Sequence, residues 1–95
     1  MLFRSDAAMN RTVSVLYFAW LRERVGTDHE KIDLPDTVGS VAALVDHLAA
    51  RSERHATAFA NRRTIRCAVD QEFADPDAPL RGGEEVAFFP PVTGG

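Results

Sequence analysis

The chain has 95 residues, a net charge of −3 at pH 7, and a composition of 45% hydrophobic and 26% charged residues. These values are typical of a single soluble globular domain. The acidic balance argues against nucleic acid as the main partner, because phosphate backbones are bound by clustered Lys and Arg. One local basic group, Arg62, Arg63 and Arg66, is explained as well by a solvated loop or strand edge.

Two further observations bear on the compartment. Cys67 is the single cysteine, so no disulfide can form within the chain and a reducing environment fits. No stretch approaches the roughly 18 apolar residues of a membrane helix, and residues 1–10 lack the apolar run of a signal peptide. We therefore expect a cytoplasmic protein without membrane contact, in which residues 1–11 form an N-terminal extension.

The first patterned segment is residues 12–18, which are rich in β-branched and aromatic side chains and predict a strand. Strand alternation places Val13, Val15 and Tyr17 on one face. Residues 19–25 predict a short helix or turn, which the glycine that follows would end.

The next segments change from strand to helix periodicity. Residues 30–34 alternate charged and apolar side chains, as in a second strand that pairs antiparallel with the first. Thr37 or Ser40 can then cap a helix. Its apolar face has the i, i+3, i+4, i+7 spacing and consists of Val41, Leu44, Val45 and Leu48. Residues 53–60 add a loose helical turn.

The last part of the chain contains two more predicted strands separated by turns. Residues 65–69 and 84–89 are the strands, and the second of them is the more apolar. Residues 75–79 contain two prolines, which remove ladder donors, and residues 80–83 end on a Gly-Gly pair. Both intervening segments are therefore predicted to be turns.

These elements predict an α+β fold with one main helix packed on one face of a mixed sheet. The two most apolar strands, 12–18 and 84–89, are the terminal ones, and we expect them to lie side by side, parallel, in the centre. This is the β-grasp, or ubiquitin-like, pattern. The domain would span residues 12–91, with residues 92–95 as a flexible C-terminal tail.

Conventional catalytic and ligand sites are not found in the sequence. The three histidines have no metal-ligand spacing, so no metal site is predicted, and His47 is expected to be solvated. Cys67 lies in a predicted strand, where a buried inert thiol is favoured over a nucleophile. No phosphate-binding motif surrounds Gly82–Gly83. We expect neither an active site of the chain's own nor a bound cofactor.

The C-terminal segment carries the chemistry instead. Residues 86–89 of the last predicted strand are apolar on both faces, and a partner protein is favoured over a second helix or loop as the cover of the outer face. Pro90 and Pro91 end the ladder and stiffen the exit. A Gly94–Gly95 ending has no Cβ, so a narrow tunnel could admit it up to the carboxylate. The alternative is that these two glycines are merely a flexible end.

Residues 15–19, 21–23 and 37–38, together with Leu80 and residues 83–95, resemble the small subunit of molybdopterin synthase, most specifically in the ending Phe-Phe-Pro-Pro-Val-Thr-Gly-Gly. The resemblance implies a β-grasp sulfur carrier. An E1-like adenylating enzyme would use ATP to activate Gly95, and sulfur transfer would then give a thiocarboxylate. The tail would enter the large subunit of molybdopterin synthase and deliver sulfur to cyclic pyranopterin monophosphate, two deliveries building the dithiolene. The family assembly is a heterotetramer.

The resemblance also assigns roles to particular residues. Gly95 is the sulfur-bearing residue and Gly94 the slender neck before it. The positions implied to bind the partner are Phe18, Phe73, Phe89, Pro90, Pro91 and Val92. Asp70 stands where the family often has Asn, in a turn that either residue can make. The chain would thus be a sulfur-donating, non-catalytic subunit that can self-associate through its apolar patch when the partner is absent.

Two alternatives remain open from the sequence. One keeps the chemistry and changes the pathway, as a sulfur carrier for thiamine synthesis or tRNA thiolation. The other is a non-catalytic ubiquitin-like interaction module whose tail is unused. The Pro-Pro-Val segment before the glycines and the Phe pair favour molybdopterin synthesis.

Overall fold

The computed structural model describes residues 11–91. This range contains five strands and three α-helices. Their bounds are β1 Thr12–Tyr17, α1 Trp20–Val25, β2 His29–Asp33, α2 Val41–Ala49, α3 Glu53–Ala58, β3 Arg66–Val69, β4 Glu72–Phe73 and β5 Glu85–Phe89, with a short 3₁₀ turn at Arg62–Thr64.

The strands form one mixed sheet in the order β2-β1-β5-β3-β4. The two terminal strands lie in the centre and are parallel, with Val15 beside Val86 and Tyr17 beside Phe88. β2 pairs antiparallel with β1, and β3 pairs antiparallel with β5. The predicted β-grasp arrangement and its central parallel pair are therefore confirmed.

The helices pack on one face of this sheet because both partners present an apolar stripe. β1 alternates between buried and partly exposed residues, and the predicted face of Val13, Val15 and Tyr17 is the buried one. They share one core with Val86 and Phe88 of β5. The helices contribute their own buried residues to this core, namely Leu21, Val25, Val41, Leu44, Val45, Leu48 and Ala58.

Local interactions fix the ends of the helices. The Ser40 hydroxyl accepts the backbone N–H of Ala43 at 3.1 Å, so Ser40 rather than Thr37 caps α2. Gly26 ends α1 in the left-handed region, at φ 98°. The Arg54 guanidinium donates to the Glu23 and Val25 carbonyls there. A Cβ on the glycine would come within 3.0 Å of that guanidinium.

The structure differs from the sequence prediction in two places. β4 was not predicted, because it has only two residues, both of them exposed. It follows a tight hairpin turn in which Asp70 and Gln71 have φ of 51° and 72°. Arg11, assigned to the N-terminal extension, belongs to the domain. Its guanidinium donates to the Pro35 and Val38 carbonyls, both at 2.7 Å, and so ties the loop after β2 to the sheet.

A polar network lies inside the helix-bearing side of the sheet. The Tyr17 hydroxyl donates to Glu30 Oε2 at 2.7 Å, and His55 Nε2 lies 2.6 Å from the same oxygen. Ser52 Oγ lies 2.7 Å from His55 Nδ1. These contacts join α3 to β1 and β2. Burial opposes the charged form of Glu30, but the hydrogen bonds from His55 and Tyr17 outweigh it and hold the pKa of that carboxyl below its usual range.

No helix within residues 11–91 is long and apolar enough to cross a membrane.

Replacing Glu30 with Gln tests this network. The substitution keeps the size of the side chain but removes the charge, so we expect a loss of about 1–3 kcal/mol in the free energy of unfolding near neutral pH. Because the folded-state pKa of Glu30 is lowered, its contribution is complete above the ordinary pKa of 4.5 and disappears as the pH falls through the folded value. Urea unfolding from pH 7 to pH 3 measures both effects. If the difference in unfolding free energy between wild type and variant were the same at pH 5 and pH 3, the stabilising role assigned to the charged Glu30 would be contradicted.

Candidate functional site

The end of β5 places the C-terminal segment at the edge of the sheet. Phe89 is the last residue of the strand, and Pro90 and Pro91 follow without ladder pairing. Proline has no N–H and cannot extend the ladder, so the chain leaves the sheet here, as predicted. The other predicted tail residues, Val92, Gly94 and Gly95, lie outside the described residues. The site is therefore built from the surface at the root of the tail.

Part of the sheet face opposite the helices, at the carboxyl ends of β1 and β5 and beside β3 and β4, is apolar and open to solvent. We define this open face by six residues that strand alternation places together. Ladder pairing sets Leu16 beside Ala87, Ala87 beside Ala68, and Ala68 beside Phe73. Phe89 lies on β5 two residues beyond Ala87, and Phe18 follows directly after Tyr17. The open face consists of Leu16, Phe18, Ala68, Phe73, Ala87 and Phe89.

The three phenylalanines of the sequence prediction all lie on this face. The Phe73 side chain is 85% exposed and Phe18 is 49% exposed. The Phe73 and Phe89 rings lie 5.9 Å apart, between their centroids. All three helices within residues 11–91 contribute to the core on the opposite side. A second helix or loop of the described chain therefore does not cover the patch, and two large apolar side chains remain in contact with water at an energetic cost.

The sequence did not identify the whole of this face. Leu16, Ala68 and Ala87 belong to it because of ladder register, which joins strands far apart in the chain. Arg66 was grouped with Arg62 and Arg63 as solvated residues, but it pairs with Phe89 in the ladder and so borders the patch. The sequence contains one signal for the position of Arg66. Residues 66 and 68 are two apart on a predicted strand, so they share a face.

The thiol and the buried histidine of the described chain do not lie on the open face. Cys67 is buried, and burial raises the pKa of its thiol to about 11, so the reactive thiolate is rare near neutral pH. No group of three or more His, Cys, Asp or Glu within residues 11–91 is arranged to hold a metal ion. His55 is committed to the Glu30 network on the other side of the sheet.

Comparison with known proteins agrees with this arrangement. Residues 15–95 match the ThiS family. The Escherichia coli molybdopterin synthase sulfur carrier subunit is 47% identical over 85 residues, which cover 87% of this chain and 99% of that protein. The chain belongs to the ThiS family and, within it, to the molybdopterin synthase sulfur carrier subunits.

Solved structures support the same fold. The structure titled putative molybdopterin converting factor, subunit 1, from Pyrococcus furiosus has a TM-score of 0.70 and 30% identity, and the match covers 85% of this chain and 98% of that one. A complex of subunits 1 and 2 of the molybdopterin-converting factor from Helicobacter pylori contains a chain matched with a TM-score of 0.59 at 19% identity, covering 88% of this chain and 99% of that one. At that identity the second likeness shows the fold alone.

The division between core and open face can be tested by two Phe→Ala substitutions. Phe88 is 1% exposed, so its truncation should cost about 3–5 kcal/mol of unfolding free energy. Phe73 is 85% exposed, so its truncation should change stability by no more than about 0.5 kcal/mol. Denaturant unfolding of both variants provides the comparison. A loss of several kcal/mol for Phe73→Ala would show that this ring is part of the fold's core and not of a free surface.

Proposed function

We propose that the chain carries sulfur as a thiocarboxylate on Gly95 and delivers it, within molybdopterin synthase, to cyclic pyranopterin monophosphate. The observation that carries this proposal is the path of β5. This strand runs through the centre of the sheet and passes directly into Pro90–Pro91 and a Gly-Gly ending, beside an uncovered apolar face. The names of the related proteins, sulfur carrier subunit and converting factor subunit 1, support the same role.

The chemistry requires activation of the terminal carboxylate, because a carboxylate is a poor acyl donor. In the first step, an oxygen of the Gly95 carboxylate attacks the α-phosphate of ATP in an E1-like adenylating enzyme, giving an acyl-adenylate and releasing pyrophosphate. In the second step, sulfur at the oxidation level of sulfide attacks the terminal carbonyl carbon and AMP leaves with the electron pair of the broken C–O bond, so no oxidant or reductant is consumed. The net change at Gly95 replaces one oxygen with sulfur. ATP is a substrate of the partner enzyme and is not held by this chain.

The absence of side chains on the last two residues suits this transfer. Glycine has no Cβ, so the approach to the terminal carbonyl carbon is open from both sides. Four residues beyond Pro91 span at most about 13–14 Å when extended, which is sufficient to reach into a partner's pocket. The chain supplies a carrier and a docking surface, and the catalytic groups belong to its partners.

The partner that accepts the tail is proposed to be the large subunit of molybdopterin synthase. In the Helicobacter pylori structure, subunits 1 and 2 of the converting factor form a complex. The open face adjoins the root of the tail, so a protein that encloses the tail can also cover Phe18, Phe73 and Phe89. Burial of such aromatic anchors is a common source of binding energy at protein interfaces. Pro90, Pro91 and Val92 would line the same contact.

The alternative pathways use the same tail chemistry. Thiamine synthesis or tRNA thiolation would require a different acceptor, and the similarity to molybdopterin synthase subunits favours the first proposal. A non-catalytic interaction module would use the open face alone. Neither alternative has a specific observation in its favour within the described residues.

Intact-protein mass spectrometry tests the modification. After incubation with the adenylating enzyme, ATP and a sulfur donor, the mass should rise by about 16 Da, corresponding to S in place of O on the terminal carboxyl group. A variant lacking Gly95 should remain unchanged in mass. Since the core of the described domain is built from residues between Val13 and Phe88, this deletion should also unfold at the same denaturant concentration as the wild type. A wild-type chain whose mass does not change under these conditions would contradict the proposal.

Binding to the large subunit tests the docking surface. Phe73→Ser should weaken association by at least about 10-fold, because the substitution removes an aromatic anchor from the contact. The matched control is Thr57→Ser, at an exposed position on helix α3, which should bind like the wild type. Calorimetric titration gives both affinities. Equal affinities for Phe73→Ser and the control would place the contact elsewhere.

A further inference from the structure

A charged residue at the border of the open face defines a further feature of the docking surface. Arg66 begins β3 and pairs in the ladder with Phe89, the residue from which the tail departs. Ala68, two residues further along the same strand, belongs to the open face, so alternation places the Arg66 side chain there too. Arg66 is exposed, and together with Phe73 and Phe89 it lines a shallow cavity of about 360 Å³.

Two nearby backbone carbonyls accept hydrogen bonds from the Arg66 guanidinium. Its Nη1 donates to the Arg63 carbonyl at 3.3 Å and to the Ile65 carbonyl at 3.4 Å. Both bonds are long and use the same nitrogen, while a guanidinium has five N–H donors in a fixed fork. Most of its hydrogen-bonding capacity is therefore not used by residues 11–91.

No carboxylate within residues 11–91 neutralises this guanidinium. The ion pairs of arginine in this part of the chain involve Arg51 with Glu30 and Arg62 with Asp46. Asp75 lines the same cavity as Arg66 but does not come within the 4.0 Å of an ion pair. Arg66 thus presents a positioned cation beside two aromatic rings, at the root of the tail.

We propose that Arg66 binds a carboxylate on the protein that receives the tail and so determines how that partner is oriented on the open face. The inference rests on the proposed docking to the large subunit. The planar fork of an arginine matches the two oxygens of a carboxylate. Arginine is also enriched, together with Trp and Tyr, among the residues that dominate interface energies. A protein carboxylate is favoured over a free phosphate because the adjoining surface is apolar.

The net negative charge of the chain limits the attraction of an acidic partner residue to the immediate neighbourhood of Arg66. With a net charge of −3, the chain as a whole repels an acidic surface and does not attract it from a distance. An acidic residue of the partner is therefore stabilised only at Arg66 itself, in direct contact. Because Arg66 lies across from Phe89, such a contact fixes the partner at the point where the direction of the tail is set.

Charge reversal at two neighbouring arginines separates direct contact from general electrostatics. The probe is the large subunit of molybdopterin synthase, titrated with the intact chain. Arg66→Ala should weaken binding roughly 10-fold, and Arg66→Glu more strongly, because a repelling carboxylate is then placed against the partner's own. Arg63→Glu is the matched control, since it makes the same change in charge at an exposed position on the 3₁₀ turn. It should alter the affinity by no more than about 2-fold.

Three results decide the proposal. Reversal of the partner's acidic residue to Lys should restore binding of Arg66→Glu but not of Phe73→Ser, which would support a direct ion pair. Equal weakening by Arg66→Glu and Arg63→Glu would overturn it, because long-range charge then explains the effect. Wild-type affinity in Arg66→Glu would overturn it as well. Failure of the wild-type chain to bind the large subunit would instead contradict the proposed function, so the two failures are distinguishable.

Discussion

The parallel pairing of β1 with β5 is the interaction on which the rest of the structure depends. The backbone N–H of Ser14 donates to the Glu84 carbonyl at 3.0 Å, and that of Phe18 donates to the Phe88 carbonyl at 3.1 Å. These bonds join the two ends of the domain, so they form only when the whole intervening chain has been brought together. The same register places Tyr17 and Phe88 side by side in the core and leaves Phe18 and Phe89 on the opposite face.

This one register therefore creates both functional properties of the molecule. A strand in the middle of a sheet is held on both sides, so the root of the tail is positioned by the most strongly bonded part of the fold. The open face beside it is apolar because the outward-facing residues at the carboxyl ends of β1 and β5 are apolar, namely Leu16, Phe18, Ala87 and Phe89. A protein with this geometry can be held firmly by a partner while its last residues reach the partner's catalytic groups.

Much of this arrangement could be predicted from the sequence. The strand at 12–18, the helix with Val41, Leu44, Val45 and Leu48 on one face, and the final apolar strand each have a period that identifies them. Their order was sufficient to predict the β-grasp topology. The need for a cover on the outer face of the last strand followed from the same pattern, since a strand with two apolar faces can bury only one of them in a domain of this size. The partner-binding roles of Phe18 and Phe73, by contrast, were implied by the family resemblance.

The remaining features depend on contacts between distant segments, which periodicity does not encode. The alternation of residues 30–34 indicates only that Glu30 lies on the charged face of a strand. In the structure Tyr17 of β1 and His55 of α3 both contact its carboxylate, which is the acceptor of a partly buried network. β4 has two exposed residues and no pattern of its own. The sequence around Arg66 indicates only a solvated arginine, whereas the ladder pairs Arg66 with Phe89. In each case a contact between distant segments determines the structural role of the residue, and the neighbouring sequence does not reveal that contact.

The central claim is that this chain supplies only the sulfur-bearing terminus and its docking surface, while the partner supplies the catalytic groups. The most direct test uses a chain prepared chemically with a thiocarboxylate at Gly95, mixed with the large subunit and cyclic pyranopterin monophosphate, without ATP or an activating enzyme. The account predicts that molybdopterin forms as the thiocarboxylate is converted back to a carboxylate, two chains being consumed for each dithiolene. Intact thiocarboxylate and no product, in a mixture where the two subunits form a complex, would contradict it.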